Sequence, residues 1–243
     1  MAAHKPGNML NAMNLEYKLM FSGWAKLPKY KEKLARSQLI IQKALTIDKA
    51  YVAISWGKDS TVLLHLVQQY QPDILAAYHA HVERDMIANY SETIDKYISR
   101  FPTNLMVLET DQADGNIGAA LNIHKEYPVC FLGLRAEESI NRRRSLKQYG
   151  IIHQYGSGDL AGSWRVCPLA WWGWKDIWAY IVAHDLPYLN AYDKVDFASH
   201  ESRTTCHISK STNKQRQATR LESFKNLSPE YYNYLRNNYP EML

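Results

Sequence analysis

Between Ala50 and Gly150 short apolar runs alternate with stretches of helical periodicity, and this alternation restricts the fold more than any other feature of the chain. The runs "AYVAIS" (50–55), "DILAAYHAHV" (73–82), "NLMVLETD" (104–111) and "VCFLGL" (129–134) read as strands, the first of them short, apolar and β-branched. Interleaved with them, "STVLLHLVQQY" (60–70), "ANYSETIDKYISRF" (88–101, stopped by Pro102), "IGAALNIHKEY" (117–127) and "EESINRRRSLKQYG" (137–150, closed by Gly150) read as helices. Strands separated by helices pair in parallel through right-handed crossovers, which places helices on both faces of the sheet. The predicted fold class is therefore α/β, a Rossmann-like parallel sheet flanked by helices.

The flanks are different in texture. Residues 1–30 read as irregular, punctuated by Pro6, Gly7 and Pro28. A helix follows over 30–45, where Leu34, Leu39, Ile40, Ile41 and Leu45 recur at helical spacing. After Gly150 the Gly-rich loop "QYGSGDLAGSW" (154–164) leads into residues 165–193, where Trp174, Ile177, Trp178 and Ile181 share one helical face. The end of the chain reads as two short helices broken around Ser228-Pro229. The organisation expected is an N-terminal helical segment (1–48), an α/β domain (49–193) and a helical C-terminal extension packed on it (194–243).

With 46% hydrophobic residues, the 243-residue chain has ample material for a core. No run approaches the roughly 18 apolar residues of a membrane span, and "MAAHKPGNMLNAMN" lacks the apolar block of a signal peptide. The expectation is a cytoplasmic protein without a membrane partner. Cys130, Cys167 and Cys206 are too dispersed for a disulfide framework or a CxxC knuckle. The net charge of +5 suits a nucleotide or nucleic-acid partner.

The turn after the first strand, Ser55 to Ser60, carries the chemistry. A strand that feeds a glycine-containing turn into a helix gathers backbone N–H groups and the positive end of the helix dipole at one place, which attracts phosphate. Gly57 lets a ligand approach the backbone, Lys58 adds a mobile cation, and Ser60 supplies a hydroxyl. Asp59 suits a phosphate cradle only as a helix cap or as a partner of a magnesium ion. Neither GxxxxGK[ST] nor GxGxxG is present.

The hexapeptide "SWGKDS" instead resembles the pyrophosphate loop, usually SGGxDS, of the adenine nucleotide α-hydrolase superfamily. "GLRAEESINRR" (133–143), "CPLAWWGWKDIWAYIVAHDLPYLNAYD" (167–193) and "SRTTCHISKSTNKQRQATRLESFKNLSPEYY" (202–232) are similar, in the same order, to segments of the phosphoadenosine phosphosulfate (PAPS) reductase branch. The resemblance implies an adenine nucleotide held by Ser55, Trp56, Gly57, Lys58, Asp59, Ser60, Gly133 and Arg135. It implies catalysis by Lys58, Asp59 and Arg135, with Cys206 as a further candidate, and ATP with Mg2+, met by Asp59, as the cofactors. The expected reaction is cleavage of ATP to AMP and pyrophosphate with adenylylation of an acceptor.

The Gly-Leu-Arg-x-Glu-Glu-Ser segment also looks like that of the ATP pyrophosphatases of DNA phosphorothioation, which implies DNA or another nucleic acid and a cysteine desulfurase as partners. Two alternatives stand beside this: a thioredoxin-dependent PAPS reductase, and a non-catalytic nucleotide-binding subunit. Reductases of the branch carry their cysteine in a Glu-Cys-Gly-Leu/Ile-His motif, but here Cys206 lies in Thr205-Cys206-His207. Cys206 is either a nucleophile or persulfide carrier, or a packed thiol. Iron–sulfur clusters take about four cysteine ligands, so no cluster is expected from three dispersed cysteines. Trp56 stands where many members have Gly, and "HAHVERD" replaces a turn that is usually Asp-Thr-Gly-like.

Other residues have two readings each. Arg135, Arg142, Arg143 and Arg144 sit on or beside one loop–helix junction; Arg135, directly after a strand, reads as functional, whereas the bland reading, a solvated basic face, applies to Arg144 and Lys147. Glu137 and Glu138 either cap the following helix or meet a metal. The cluster Trp164, Trp171, Trp172, Trp174 and Trp178 is a packing layer or a stacking surface. His79 and His81 alternate on a strand without an identifiable third zinc ligand.

Overall fold

The computed structural model describes residues 13–80, 88–109, 122–194, 225 and 228–238. Two helices, α1 (Leu15–Trp24) and α2 (Pro28–Leu45), precede β1 (Ala50–Ile54), α3 (Lys58–Gln68), β2 (Leu75–Ala80), α4 (Tyr90–Arg100) and β3 (Asn104–Glu109). Residues 122–126 are helical. Then come β4 (Val129–Leu132), α5 (Ile140–Tyr149), β5 (Ile152–Gln154), β6 (Trp164–Val166), α6 (Trp174–His184), a 3₁₀ turn (Asn190–Lys194) and α7 (Pro229–Asn238).

The six strands form one sheet in the order β3-β2-β1-β4-β6-β5. All neighbours are parallel except β5 and β6. The expected α/β class, a parallel sheet flanked by helices, holds, with an antiparallel pair added at one edge: the segment read as loop 154–164 joins two three-residue strands into a hairpin, and hairpin strands run antiparallel. Strands this short are below the length at which periodicity is legible.

Burial on the sheet alternates as strand geometry requires. Val52 and Ile54 of β1 join Val129, Phe131 and Val166 in the main core, whereas Tyr51 and Cys130 belong to a second cluster with Leu75, Ala77 and Ile123. Helix α3 is buried along nearly its whole length, because it packs on β1 on one side and on α6 on the other. The tryptophans of the α6 region are mainly packing residues: Trp178 and Trp172 are buried, and Phe21 of α1 meets the rings of Trp174 and Trp178. Trp171, 38% exposed, is the exception.

Helix α1 corrects the reading of residues 1–30 as irregular. Asn14 caps it by accepting the Tyr17 N–H at 2.9 Å, and Phe21 anchors it in the core. Its Leu15 and Leu19 are exposed, so the apolar residues make no clean stripe from which a helix is readable. At the other end α7 begins at Pro229, where the break was expected; the helix expected before it lies outside the described residues apart from Lys225.

The polar groups inside α3 are matched by partners on neighbouring elements. Gln68 accepts the Tyr97 hydroxyl at 2.8 Å and donates to Pro102 O and Thr103 Oγ1. His65 Nδ1 lies 2.9 Å from the Tyr180 hydroxyl. Burial, with repulsion from His184 and Arg100, pushes the His65 imidazole down to about 4. The folded pKa lies below the unfolded one, so the stabilisation is complete above roughly pH 6.5 and is lost as pH falls towards 4, on the order of 3 kcal/mol. Thermal unfolding followed by circular dichroism from pH 7 to pH 4 is expected to show this loss, with a shallower decline in His65→Leu.

Candidate functional site

The chain proceeds from β1 outwards through β2 to β3, then returns to the other side of β1 with β4. The β1/β4 junction is thus the point at which strand order reverses, and the crevice beyond the carboxyl ends of such strands is where open α/β sheets bind ligands. The turn 55–57 leaves β1 on one side of this crevice, and Gly133 to Ser139 leave β4 on the other.

Gly133 fits the two turns together. A Cβ at that position would lie 3.1 Å from Ser60 N and 3.2 Å from the carbonyl carbon of Asp59, so any side chain there would push the β4 turn and the start of α3 apart by a few tenths of an ångström. Within the β1 turn, Ser60 Oγ donates to Gly57 O at 3.0 Å and accepts the Ser55 N–H at 3.2 Å. The Ser55 and Ser60 hydroxyls are 3.1 Å apart. The two serines therefore close the loop on itself and hold its backbone for α3 to start at Lys58.

Asp59 is the electrostatic centre. One carboxylate oxygen accepts Lys58 Nζ at 2.9 Å, and the other accepts Arg135 Nε at 2.6 Å. Burial alone would raise the Asp59 carboxyl; Lys58 and Arg135 outweigh it and hold the group below the ordinary carboxylate range. Arg135 is fully buried and donates further to Glu137 at 2.8 Å and to Trp172 O at 3.4 Å. Burial works against its charge, but Asp59, Glu138 and Glu137 together raise its pKa. Its side chain faces protein groups, so it organises the turn from behind.

Glu137 and Glu138 do not cap α5, contrary to the reading of them as caps of the following helix. Ser139 caps it, accepting the Arg142 N–H at 3.2 Å. Glu137 instead reaches the start of α6, where it accepts the Trp174 N–H at 2.6 Å. Glu138 accepts the Arg135 backbone N–H at 2.9 Å and pairs with Arg142.

Trp56 occupies a left-handed backbone conformation, φ 58°. That explains why Gly suits this position in the families the loop resembles, and it costs a bulky residue about 1–2 kcal/mol. The indole is fully buried and meets the rings of Tyr78 and Tyr97 at 6.3 and 5.4 Å. Burial of a ring this size is worth roughly 3–5 kcal/mol by the cost of its deletion, so packing outweighs strain. The side chain points into the core, and Trp56 offers its backbone to the crevice.

Tyr192 was missed by the sequence reading. Its hydroxyl accepts the Lys58 backbone N–H at 3.3 Å, and the Lys58 ammonium lies 5.3 Å from its ring centroid. The Tyr-Asp at the end of the 167–193 segment was the available signal. Cys206 and His81 lie outside the described residues, as does the side chain of His79. Cys130 and Cys167 are buried core thiols, pushed up by burial to about 12 and about 11. Among the described residues no three His, Cys, Asp or Glu side chains cluster as metal ligands. Both Asp59 oxygens are already engaged, so these residues fit an anion better than a metal held by protein alone.

Known proteins resemble the chain in sequence and in fold. The model of the phosphoadenosine phosphosulfate reductase domain matches residues 115–199. An adenosine 5'-phosphosulfate reductase of Bacillus cereus (strain Q1) is 30% identical over 168 residues, which are 58% of this chain and 66% of that protein. The enzyme of the same name from Geobacillus thermodenitrificans (strain NG80-2) is 27% identical over 168 residues, 60% of this chain and 68% of that one. The match to the first of these spans just under two thirds of the relative's length. The crystal structure of phosphoadenylyl-sulfate reductase from Candida auris superposes with a TM-score of 0.50 at 13% identity, over 75% of this chain and 92% of that chain. The fold of this chain is thus similar to that of the reductase. Part of its sequence is therefore similar to the phosphoadenosine phosphosulfate reductase domain and to these reductases.

Two substitutions test the construction. Asp59→Ala leaves the buried Arg135 cation short of its nearest carboxylate and is expected to cost about 3 kcal/mol or more in urea unfolding. Gly133→Ala forces the two turns apart and is expected to cost about 1–3 kcal/mol in the same measurement.

Proposed function

We propose that the chain is an ATP pyrophosphatase that binds ATP across the β1/β4 crevice and transfers AMP to an acceptor in sulfur metabolism. The observation that carries the reading is the convergence of Lys58 and Arg135 on one carboxylate at the amino end of α3, at the point where strand order reverses. In this reading the backbone of residues 56–60 and the Lys58 ammonium hold the β- and γ-phosphates. Ser55 and Ser60 keep the turn closed, and Gly133 lets Arg135 come behind it. Arg135 is a positioning residue that fixes Asp59 and, through it, Lys58. Tyr192 occupies one α3 amide and yields it to a phosphate oxygen.

The bond that breaks joins the α-phosphorus to the α,β-bridging oxygen, and the bond that forms joins an acceptor oxygen to the same phosphorus. Pyrophosphate leaves with the electron pair, and the acceptor's proton goes to solvent. The chain's contribution is position, with the Lys58 ammonium and the α3 amides as local electrostatic partners of the phosphates. A magnesium ion carried by the phosphates would supply further neutralisation. Sulfur insertion into DNA, with a cysteine desulfurase as sulfur donor, is the acceptor chemistry that the 133–139 segment favours.

The names of the relatives favour a second reading, reduction of an adenylyl sulfate. Cys130 and Cys167 are buried with raised thiol pKa values, which leaves Cys206 as the candidate nucleophile. One pair of assays separates the two. Incubation of the purified chain with ATP and magnesium is expected to yield AMP and pyrophosphate by ion-exchange chromatography, about 100-fold more slowly in Lys58→Ala. Sulfite from adenylyl sulfate and reduced thioredoxin, abolished by Cys206→Ser and without AMP formation from ATP, would replace the first reading by the second.

A further inference from the structure

Two of the groups that the proposed function assigns to the phosphates are occupied by the protein itself. The Lys58 amide, the first N–H of α3, donates to the Tyr192 hydroxyl at 3.3 Å. The Lys58 ammonium is paired with Asp59 at 2.9 Å and lies 5.3 Å from the centroid of the Tyr192 ring, and the residue is 8% exposed. Tyr192 thus engages both ends of Lys58, the amide with its oxygen and the ammonium with its ring.

The hydroxyl also stands where a ligand oxygen is expected. A Cβ at Gly57 would meet the Tyr192 oxygen at 3.4 Å, ahead of Ser55 Oγ at 3.6 Å, so the space that glycine leaves over the turn is filled by this hydroxyl. An oxygen that touches the turn and accepts an amide at the amino end of a helix has the placing of a phosphate oxygen. Beyond the Lys58 amide, the hydroxyl has no hydrogen-bond partner among the described residues.

The 3₁₀ turn holds Tyr192 in this place. Asn190 donates its N–H to Asn89 Oδ1 at 2.8 Å and accepts the Asn89 N–H at 3.4 Å, which ties the turn to the start of α4. The Tyr188 hydroxyl donates to Asp193 Oδ1 at 2.9 Å, and the rings of Tyr188 and Tyr192 meet Trp178 edge-on at 5.1 and 5.5 Å. Folding therefore needs the ring of Tyr192. It does not need the oxygen: phenylalanine would fill the same space, and a buried hydroxyl with one long hydrogen bond adds little to stability.

We propose that the Tyr192 hydroxyl is the specificity-determining group of this site, an internal substitute for a phosphate oxygen that a ligand must displace in order to bind. The inference rests on the phosphate-binding reading of the β1 turn and adds a condition of entry to it. A phosphate at the turn replaces a long neutral hydrogen bond by a charge-assisted one and draws the Lys58 ammonium from Asp59, which keeps Arg135 as its partner. A nucleoside offers nothing in exchange. The closed turn therefore selects the polyphosphate chain and is indifferent to the base.

Titration calorimetry of the full chain and of Tyr192→Phe with inorganic pyrophosphate, with ATP and magnesium, and with adenosine tests the inference. Tyr192→Phe keeps the ring against Trp178 and Lys58 and removes the competing oxygen alone. Pyrophosphate and ATP are expected to bind the variant about fivefold more tightly, the weight of one neutral hydrogen bond, and adenosine to show no gain. In the ligand-free protein the Lys58 amide is expected to exchange with deuterated solvent about fivefold faster in the variant. The inference is overturned if the variant binds the two phosphate compounds as the parent does, if it binds them more weakly, which would make the hydroxyl a phosphate ligand, if adenosine gains equally, which would mean a loosened site, or if the Lys58 amide exchanges at the parent rate. In each of these cases ATP binding by the parent leaves the nucleotide reading in place. Failure of both proteins to bind either phosphate compound removes that reading, and this inference with it.

Discussion

The contact between Asp59 and Arg135 joins the two halves of the sheet at the place where they diverge. A guanidinium buried to completion is unfavourable unless carboxylates surround it, and here Asp59, Glu137 and Glu138 all lie close enough to raise its pKa. Each of the three also holds something else. Asp59 holds Lys58, Glu137 holds the first amide of α6, and Glu138 holds Arg142 of α5. One buried cation thereby fixes the relative positions of α3, α5 and α6, the three helices that begin around the crevice.

The turn after β1 shows how a local penalty is absorbed by its surroundings. A tryptophan in the left-handed region is unfavourable as an isolated residue, but the strain is smaller than the gain from burying its indole between Tyr78 and Tyr97. Those tyrosines lie on β2 and α4, so the shape of the turn depends on elements that come later in the chain. The indole N–H has no partner among the described residues, a further cost that the packing must exceed.

This dependence separates what was legible in the sequence from what was not. The strands β1 to β4 and the helices α3 to α5 carry their own periodicity, and the loop motif is contiguous, so each is readable from a window of residues. Arg135 was legible as a site residue because it follows a strand, but its role behind Asp59 was not, since 76 positions separate them. Tyr192 is separated from Lys58 by 134 positions and no local pattern links them. The β5–β6 hairpin was lost because three-residue strands show no period, and α1 because its exposed leucines blur the apolar stripe that Phe21 belongs to.

The charges also divide the molecule into an inner and an outer region. Lys58, Arg135 and Arg142 are matched at the crevice by Asp59, Glu137 and Glu138, three cations against three carboxylates. A neutral cluster of that kind exerts little attraction at a distance, and it cannot by itself neutralise a polyphosphate. On the proposed reading a nucleotide therefore arrives with its own cation, and the amides at the start of α3 supply direction more than net charge. Attraction from afar has to come from charge outside this cluster; among the described residues Arg143, Arg144 and Lys147 are exposed and form no ion pair. On that reading the matched cluster orients an anion and the exposed cations help to attract it, so orientation and attraction fall to different residues.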